Sequence, residues 1–186
     1  RLIGGKNAVW YGGIIIFAGH VVLAIDLQNL FFVGLILVAS GTGLLKPNIS
    51  AMVGQQYGDD DGRRDSGYAL YYMGINIGSL IAYLVTGYLQ ENWGWHYAFG
   101  AAAIGMAIGL IQYYFSNRSL SADSVAPANP YQGAAKQRAW MGVWAVVALA
   151  VVVIVLAHMG TIVIEPVALA QQVAVVFTII FFAYFG

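Results

Sequence analysis

Six runs of mostly apolar residues, at 8–25, 30–53, 67–89, 96–115, 139–160 and 168–186, constrain this chain more than anything else in it. Each is near the ~20 residues that a helix needs to cross the hydrocarbon core of a bilayer. Strands of a membrane barrel would be ~10 residues long with apolar side chains alternating. These runs are about twice that length and do not alternate. In lipid every backbone polar group must be satisfied within the protein, which leaves helices. A soluble domain is excluded because only 9% of the residues are charged, where a water-facing surface needs roughly a quarter. The hydrophobic content of 60% excludes a disordered chain. A formal net charge of +0 offers no field for nucleic acid. The absence of cysteine removes disulfides, thiolate metal sites and cysteine nucleophiles. The expected fold is therefore all-α and integral to a membrane, with six transmembrane helices, a lipid bilayer around them and no nucleic acid partner.

The connections alternate in charge. Asp26-Leu27-Gln28-Asn29, Gln90-Glu91-Asn92-Trp93-Gly94-Trp95 and the stretch 161–167 contain no Lys or Arg. Arg1, Lys6, Arg63, Arg64, Arg118, Lys136 and Arg138 all fall on the other side. The positive-inside rule then predicts a cytoplasmic N-terminus and cytoplasmic longer connections. Trp93, Trp95 and Tyr97 stand where an outer aromatic belt is expected, and Trp140 at the inner boundary. The stretch 117–138, with Ser, Asn, Pro and Gly at its centre, reads as a cytoplasmic linker. It separates a glycine-rich part with internal polar residues, 1–116, from a monotonous Ala, Val, Leu and Ile part, 139–186. That contrast predicts a packed bundle followed by a peripheral helix pair. The chain opens on Arg1 rather than Met, carries no secretory signal and stops within an apolar run. It is expected to be part of a longer protein.

One basic residue has no place on the basic side: Lys46, about seventeen residues into the second run. An ionisable group at that depth costs ~2.5–3.5 kcal/mol to insert, which makes it a candidate functional residue. Snorkelling to the interface is the plain alternative, but some eight residues of helix is ~12 Å, too far for easy escape. Thr42, Lys46 and Ser50 share one helical stripe. Pro47 would leave the carbonyl of Gly43 without its helical donor. The third run carries Tyr68, Tyr72, Asn76, Ser79, Tyr83 and Thr86 at offsets of three and four, a stripe expected to face protein or a water-filled cavity. Tyr72 and Asn76, nearest the depth of Lys46, are expected at the cavity, with Tyr68 as possible further lining. Ser79 also lies on that lining stripe, but it and Thr86 are expected to make interhelical hydrogen bonds. Gly74 with Gly78, and Gly105 with Gly109, read as small-residue packing pairs. His20 is expected to be hydrogen-bonded rather than to carry protons. Asp59-Asp60-Asp61 lacks the further ligands of a calcium loop and is expected to pair with the arginines that follow. The sequence contains no nucleophile–base pair, phosphate loop or metal-ligand set, so no enzyme, metal or cofactor is expected.

Two motifs carry a family likeness. The run Gly43-Leu44-Leu45-Lys46-Pro47-Asn48-Ile49-Ser50 is followed, thirty residues from lysine to asparagine, by Tyr71-Tyr72-Met73-Gly74-Ile75-Asn76-Ile77-Gly78-Ser79-Leu80. Arg63-Arg64-Asp65-Ser66-Gly67 and Gly94-Trp95-His96-Tyr97-Ala98-Phe99-Gly100 lie around the second motif as well. In order and spacing these resemble the proton-dependent oligopeptide transporters, a family of the major facilitator superfamily. The resemblance implies that residues 1–116 correspond to the third to sixth helices of an N-terminal bundle, and 139–186 to a helix pair inserted in bacterial members. It implies a proton-coupled symporter of di- and tripeptides working by alternating access, in a bacterial inner membrane. In that family the lysine lines the central cavity, meets the peptide carboxylate and takes part in proton coupling, which carries onto Lys46. The signature tyrosine and asparagine contact the peptide backbone, which carries onto Tyr72 and Asn76. The family's Glu-x-x-Glu-Arg motif and its second bundle are absent from this sequence, so the remainder of the transporter is an implied partner. Another facilitator subfamily, carrying nitrate, sugars or drugs, and a non-transport membrane scaffold are the competing expectations.

Overall fold

The computed structural model describes residues 3–25, 28–58, 61–116, 131–160 and 166–185. All regular structure among them is helical: α1 (Gly5–Ala24), α2 (Gln28–Gln55), α3 (Arg64–Trp93), α4 (Trp95–Ser116), α5 (Gly133–His158) and α6 (Pro166–Phe185). Among the described residues five helices are long and apolar enough to span a bilayer, namely Gly5–Ala24, Leu30–Gln55, Arg64–Trp93, Trp95–Ser116 and Gly133–Val153. The last expected run is formed as a further helix of 20 residues, α6. Most of the expected linker, 117–130, lies outside the described residues.

Helices run past the apolar limits wherever the flanking polar residues tolerate helix. α3 starts at Arg64 and α5 at Gly133, ahead of their apolar runs. The expected polar connection at 90–95 shrinks to one residue, because Gln90, Glu91 and Asn92 are all helix-competent and continue α3. Gly94 alone breaks it, with φ 103°, and its N–H donates to the carbonyls of Leu89 and Gln90 at 3.0 and 3.1 Å. A side chain there would be strained, which is why glycine ends the helix.

The chain forms two compact units, Arg1–Gln132 and Gly133–Gly186. In the first, α1 is the central element and lies against both α2 and α4, while α3 lies against α4. Its buried residues, Ala8, Val9, Gly12, Gly13, Ile16, Gly19 and Leu23, recur at helical spacing. Glycines let the backbones of α1 and α2 touch. A Cβ on Gly12 would stand 2.9 Å from the Gly41 carbonyl oxygen, and one on Gly19 2.9 Å from that of Gly34. The two pairs are seven residues apart on each helix, as an antiparallel register requires. With no hydrophobic drive between helices in lipid, this close approach is what holds them. The glycines singled out from sequence do not pack here: a Cβ on Gly74, Gly78, Gly105 or Gly109 would meet nothing within 4 Å. In the second unit, the described side chains of α5 and α6 are largely exposed, as suits lipid contact.

Candidate functional site

α2 and α3 meet at the end that bears Arg63 and Arg64. There the ring of Tyr57 lies on Gly67, and the Tyr68 phenol lies on Gly54. The same phenol donates to the Ser50 carbonyl at 3.4 Å. Larger residues at either glycine would displace the tyrosine ring that covers it. Sequence reasoning missed this reciprocal pairing, whose only local signal is a tyrosine and a glycine at the end of each helix.

The joint fixes the depth of the residues beyond it. Lys46 lies one turn before Ser50 on α2, and Tyr72 one turn after Tyr68 on α3. The two helices run in opposite directions, so Lys46 and Tyr72 come to the same level, ~6 Å of helix rise from the joint. Asn76 lies a further turn out. All three are exposed, Tyr72 at 55%. Asn76 Nδ2 donates to the Tyr72 carbonyl at 2.8 Å, which leaves its side-chain oxygen free to accept. No hydrogen bond or ion pair links Lys46 to another described residue. Thr42 and Ser50 are half-buried on the same helix.

Pro47 sits within α2 as expected. Asn48 Nδ2 donates to the Leu44 carbonyl at 2.7 Å rather than to that of Gly43. Further along α3, the expected interhelical bonds are not made among the described residues. Ser79 donates to the Ile75 carbonyl at 2.8 Å and Thr86 to that of Ala82 at 2.7 Å, both within the helix. A carbonyl one turn back is always in reach of these hydroxyls, whereas α3 is exposed from Tyr72 to Val85, and Thr86 is only half-buried.

His20 also departs from expectation, since its buried Nδ1 has no hydrogen-bond partner among the described residues. Gly13 faces Leu110, and Ala24 lies beside Gly100, so the stripe that includes His20 runs along α4. The side chains of α4 there are alanine and glycine, which supply no donor.

At the α3 start the expected acid–base pairing is present. Arg63 donates from Nε and Nη2 to the two Asp61 carboxylate oxygens at 3.0 and 2.8 Å, and its backbone N–H adds a third bond at 3.0 Å. These bonds hold the Asp61 carboxyl down at about 2. Asp59 and Asp60 lie outside the described residues. Because the shift is downward, the fork is complete at neutral pH and is lost as pH falls below the ordinary value of 3.8 toward about 2. A carboxyl NMR titration of Asp61 is expected to show this. Arg63→Ala should return the midpoint toward the ordinary value, and an unchanged midpoint would refute the pairing. Among the described residues no group of His, Asp and Glu could hold a metal ion.

The POT family model matches residues 6–159. A peptide transporter from Yersinia enterocolitica is 41% identical over 182 residues, which is 91% of this chain and 35% of that protein. A di-/tripeptide transporter from Lactococcus lactis is 44% identical over 140 residues, 74% of this chain and 28% of that one. A crystal structure of a POT peptide transporter in complex with sulfate superposes with a TM-score of 0.83 at 38% identity, covering 98% of this chain and 38% of that one. A POT family transporter in complex with a thioalcohol-conjugated peptide gives 0.83 at 31% identity, covering 95% and 36%. The chain thus spans about a third of the length of the relatives it matches.

Proposed function

The chain belongs to the POT family, and from that premise we propose that it supplies one wall of the substrate cavity in a proton-coupled symporter of di- and tripeptides. It is a multi-pass membrane protein of transporter kin. The observation that carries the reading is the exposed Lys46 on α2, level with Tyr72 and one turn from Asn76 on α3. An ammonium is a compact point charge for a peptide carboxylate. In the same reading Lys46 also takes part in proton coupling, so proton and peptide carboxylate act on one group. Asn76, with an unused amide oxygen, can accept from the peptide backbone, and the Tyr72 phenol can donate to it or accept from it. Thr42, Ser50, Tyr68 and Ser79 would line the same cavity.

In this reading residues 1–116 are part of an N-terminal bundle, 117–138 a cytoplasmic linker and 139–186 an inserted helix pair. The remainder of the transporter completes the cavity, and the bundles rock about it to give alternating access. The membrane is a bacterial inner membrane with the start of α1 cytoplasmic, on the distribution of Lys and Arg. The relatives described as di-/tripeptide transporters support the substrate class.

The test is uptake of a labelled dipeptide into proteoliposomes holding the complete symporter, with and without an inward proton gradient. Unlabelled di- and tripeptides are expected to compete and nitrate and sugars to fail. Competition by nitrate alone, or uptake indifferent to the gradient, would refute the proposal.

A further inference from the structure

Pro47 leaves one backbone acceptor on α2 without its helical donor, and we propose that this acceptor, the Gly43 carbonyl, binds the amide N–H of the last residue of the substrate peptide while Lys46 takes its carboxylate. The inference rests on the peptide-symport reading and adds a subsite to it. In a helix the donor to Gly43 would be the N–H of residue 47, which proline lacks. The nearest side-chain amide, that of Asn48, is spent on Leu44 at 2.7 Å. Thr42, Lys46 and Ser50 make no hydrogen bond to the Gly43 carbonyl. An acceptor in that condition is tolerated inside a membrane where it lines a wet cavity.

The surroundings favour a ligand over a neighbouring helix. Gly43, Lys46 and Pro47 are all exposed on one face of α2. A Cβ on Gly43 would meet nothing within 4 Å, so the backbone there is open. Glycine is the residue that lets a ligand come up to a main chain. Carbonyls point toward the C-terminal end of a helix and the Lys46 Cα–Cβ bond toward the N-terminal end. The bare acceptor and the ammonium-bearing side chain therefore converge on one turn. The last residue of a peptide presents a matching pair, an N–H and a carboxylate separated by a single Cα. Carbonyls freed where transporter helices are interrupted are known to serve as ligands. The ligand class is a peptide whose final linkage is a secondary amide. Esters and peptides N-methylated at that linkage lack the donor.

The experiment compares three competitors of dipeptide uptake by the complete symporter: alanyl-alanine, its ester isostere alanyl-lactate, and alanyl-alaninamide. Unmodified protein is expected to prefer the amide-linked acid over the ester by about three- to tenfold, the worth of one hydrogen bond. Pro47→Ala returns a helical N–H to the Gly43 carbonyl, and Gly43→Val screens it from the cavity. Either change should bring the amide-to-ester ratio to within about twofold of one. The preference for free carboxylate over carboxamide, which belongs to Lys46, should persist in both. Where a variant turns over too slowly, the same ratios are read from binding competition in detergent. A ratio near one in the unmodified protein, or one unchanged in both variants, overturns the Gly43 subsite. Failure of all peptides to compete overturns the peptide reading instead, so the two failures are distinguishable.

Discussion

Lys46→Ala in the complete symporter is expected to lower kcat/KM for proton-driven dipeptide uptake by at least about 30-fold, while the protein still inserts and accumulates. Truncating one member of a desolvated charge pair costs ~2–5 kcal/mol, mostly because the other charge is left without a partner. In the proposed reading that other charge is the peptide carboxylate, and at 1.4 kcal/mol per decade the lower end is already about 30-fold. Lys46 makes no bond to another described residue, so its removal breaks none of those that hold α2 to α1 and α3. Removing an ionisable group from a span also relieves ~2.5–3.5 kcal/mol of insertion cost, which argues against a folding defect. Lys46→Arg separates the two duties assigned to the lysine. Arginine keeps the charge but cannot release its proton in a protein. Peptide exchange across the membrane should survive in Lys46→Arg, while accumulation against a gradient is lost. Accumulation at unmodified rates in either variant would refute the role of Lys46.

The helices and the candidate site residues were legible in sequence because each rests on a local rule. Runs of ~20 apolar residues must become helices in lipid, and a lysine at depth marks itself by its cost. The motif spacing of Lys46, Tyr72 and Asn76 then falls on two helices that the Ser50–Tyr68 joint brings to one level. What stayed hidden needs a partner's register. Gly74–Gly78 and Gly105–Gly109 have the spacing of a packing motif, but no described element lies over them. The glycines that do pack, Gly12 and Gly19 against Gly41 and Gly34, are seven residues apart on each helix. That is nearly two full turns, and its meaning is visible only once α1 and α2 are laid antiparallel. The hydroxyls of Ser79 and Thr86, expected to bond between helices, donate within α3 for a related reason. Polarity on a stripe shows that a bond must be made, and the helix itself offers the nearest acceptor.

That distinction among glycines predicts a graded series, with the largest structural effect at the α1–α2 crossing. A glycine-to-alanine change inside a helix gains up to about 1 kcal/mol from propensity when nothing opposes it. At Gly105 and Gly109 nothing does, so alanine there is expected to be neutral or mildly stabilising in this chain. At Gly13 the added methyl would lie 2.6 Å from Leu110 Cδ2, the far end of a side chain that can turn away, so the gain is roughly cancelled. At Gly41 it would lie 2.7 Å from the Gly12 carbonyl oxygen and 2.8 Å from the Ile16 backbone nitrogen. Backbone on both sides cannot give, and overpacking of this kind costs ~1–3 kcal/mol, which exceeds the propensity gain. Gly41→Leu must move α1 off α2 altogether and forfeit the dispersion contacts along their length, the main attraction between helices in lipid. The Gly41→Leu chain is expected to lose most of its monodisperse fraction on size exclusion in detergent. Gly41→Ala should fall between it and Gly13→Ala in thermal midpoint, with Gly105→Ala at or above the unmodified chain. A Gly41→Leu chain as stable as Gly105→Ala would show that the two helices do not meet at their glycines.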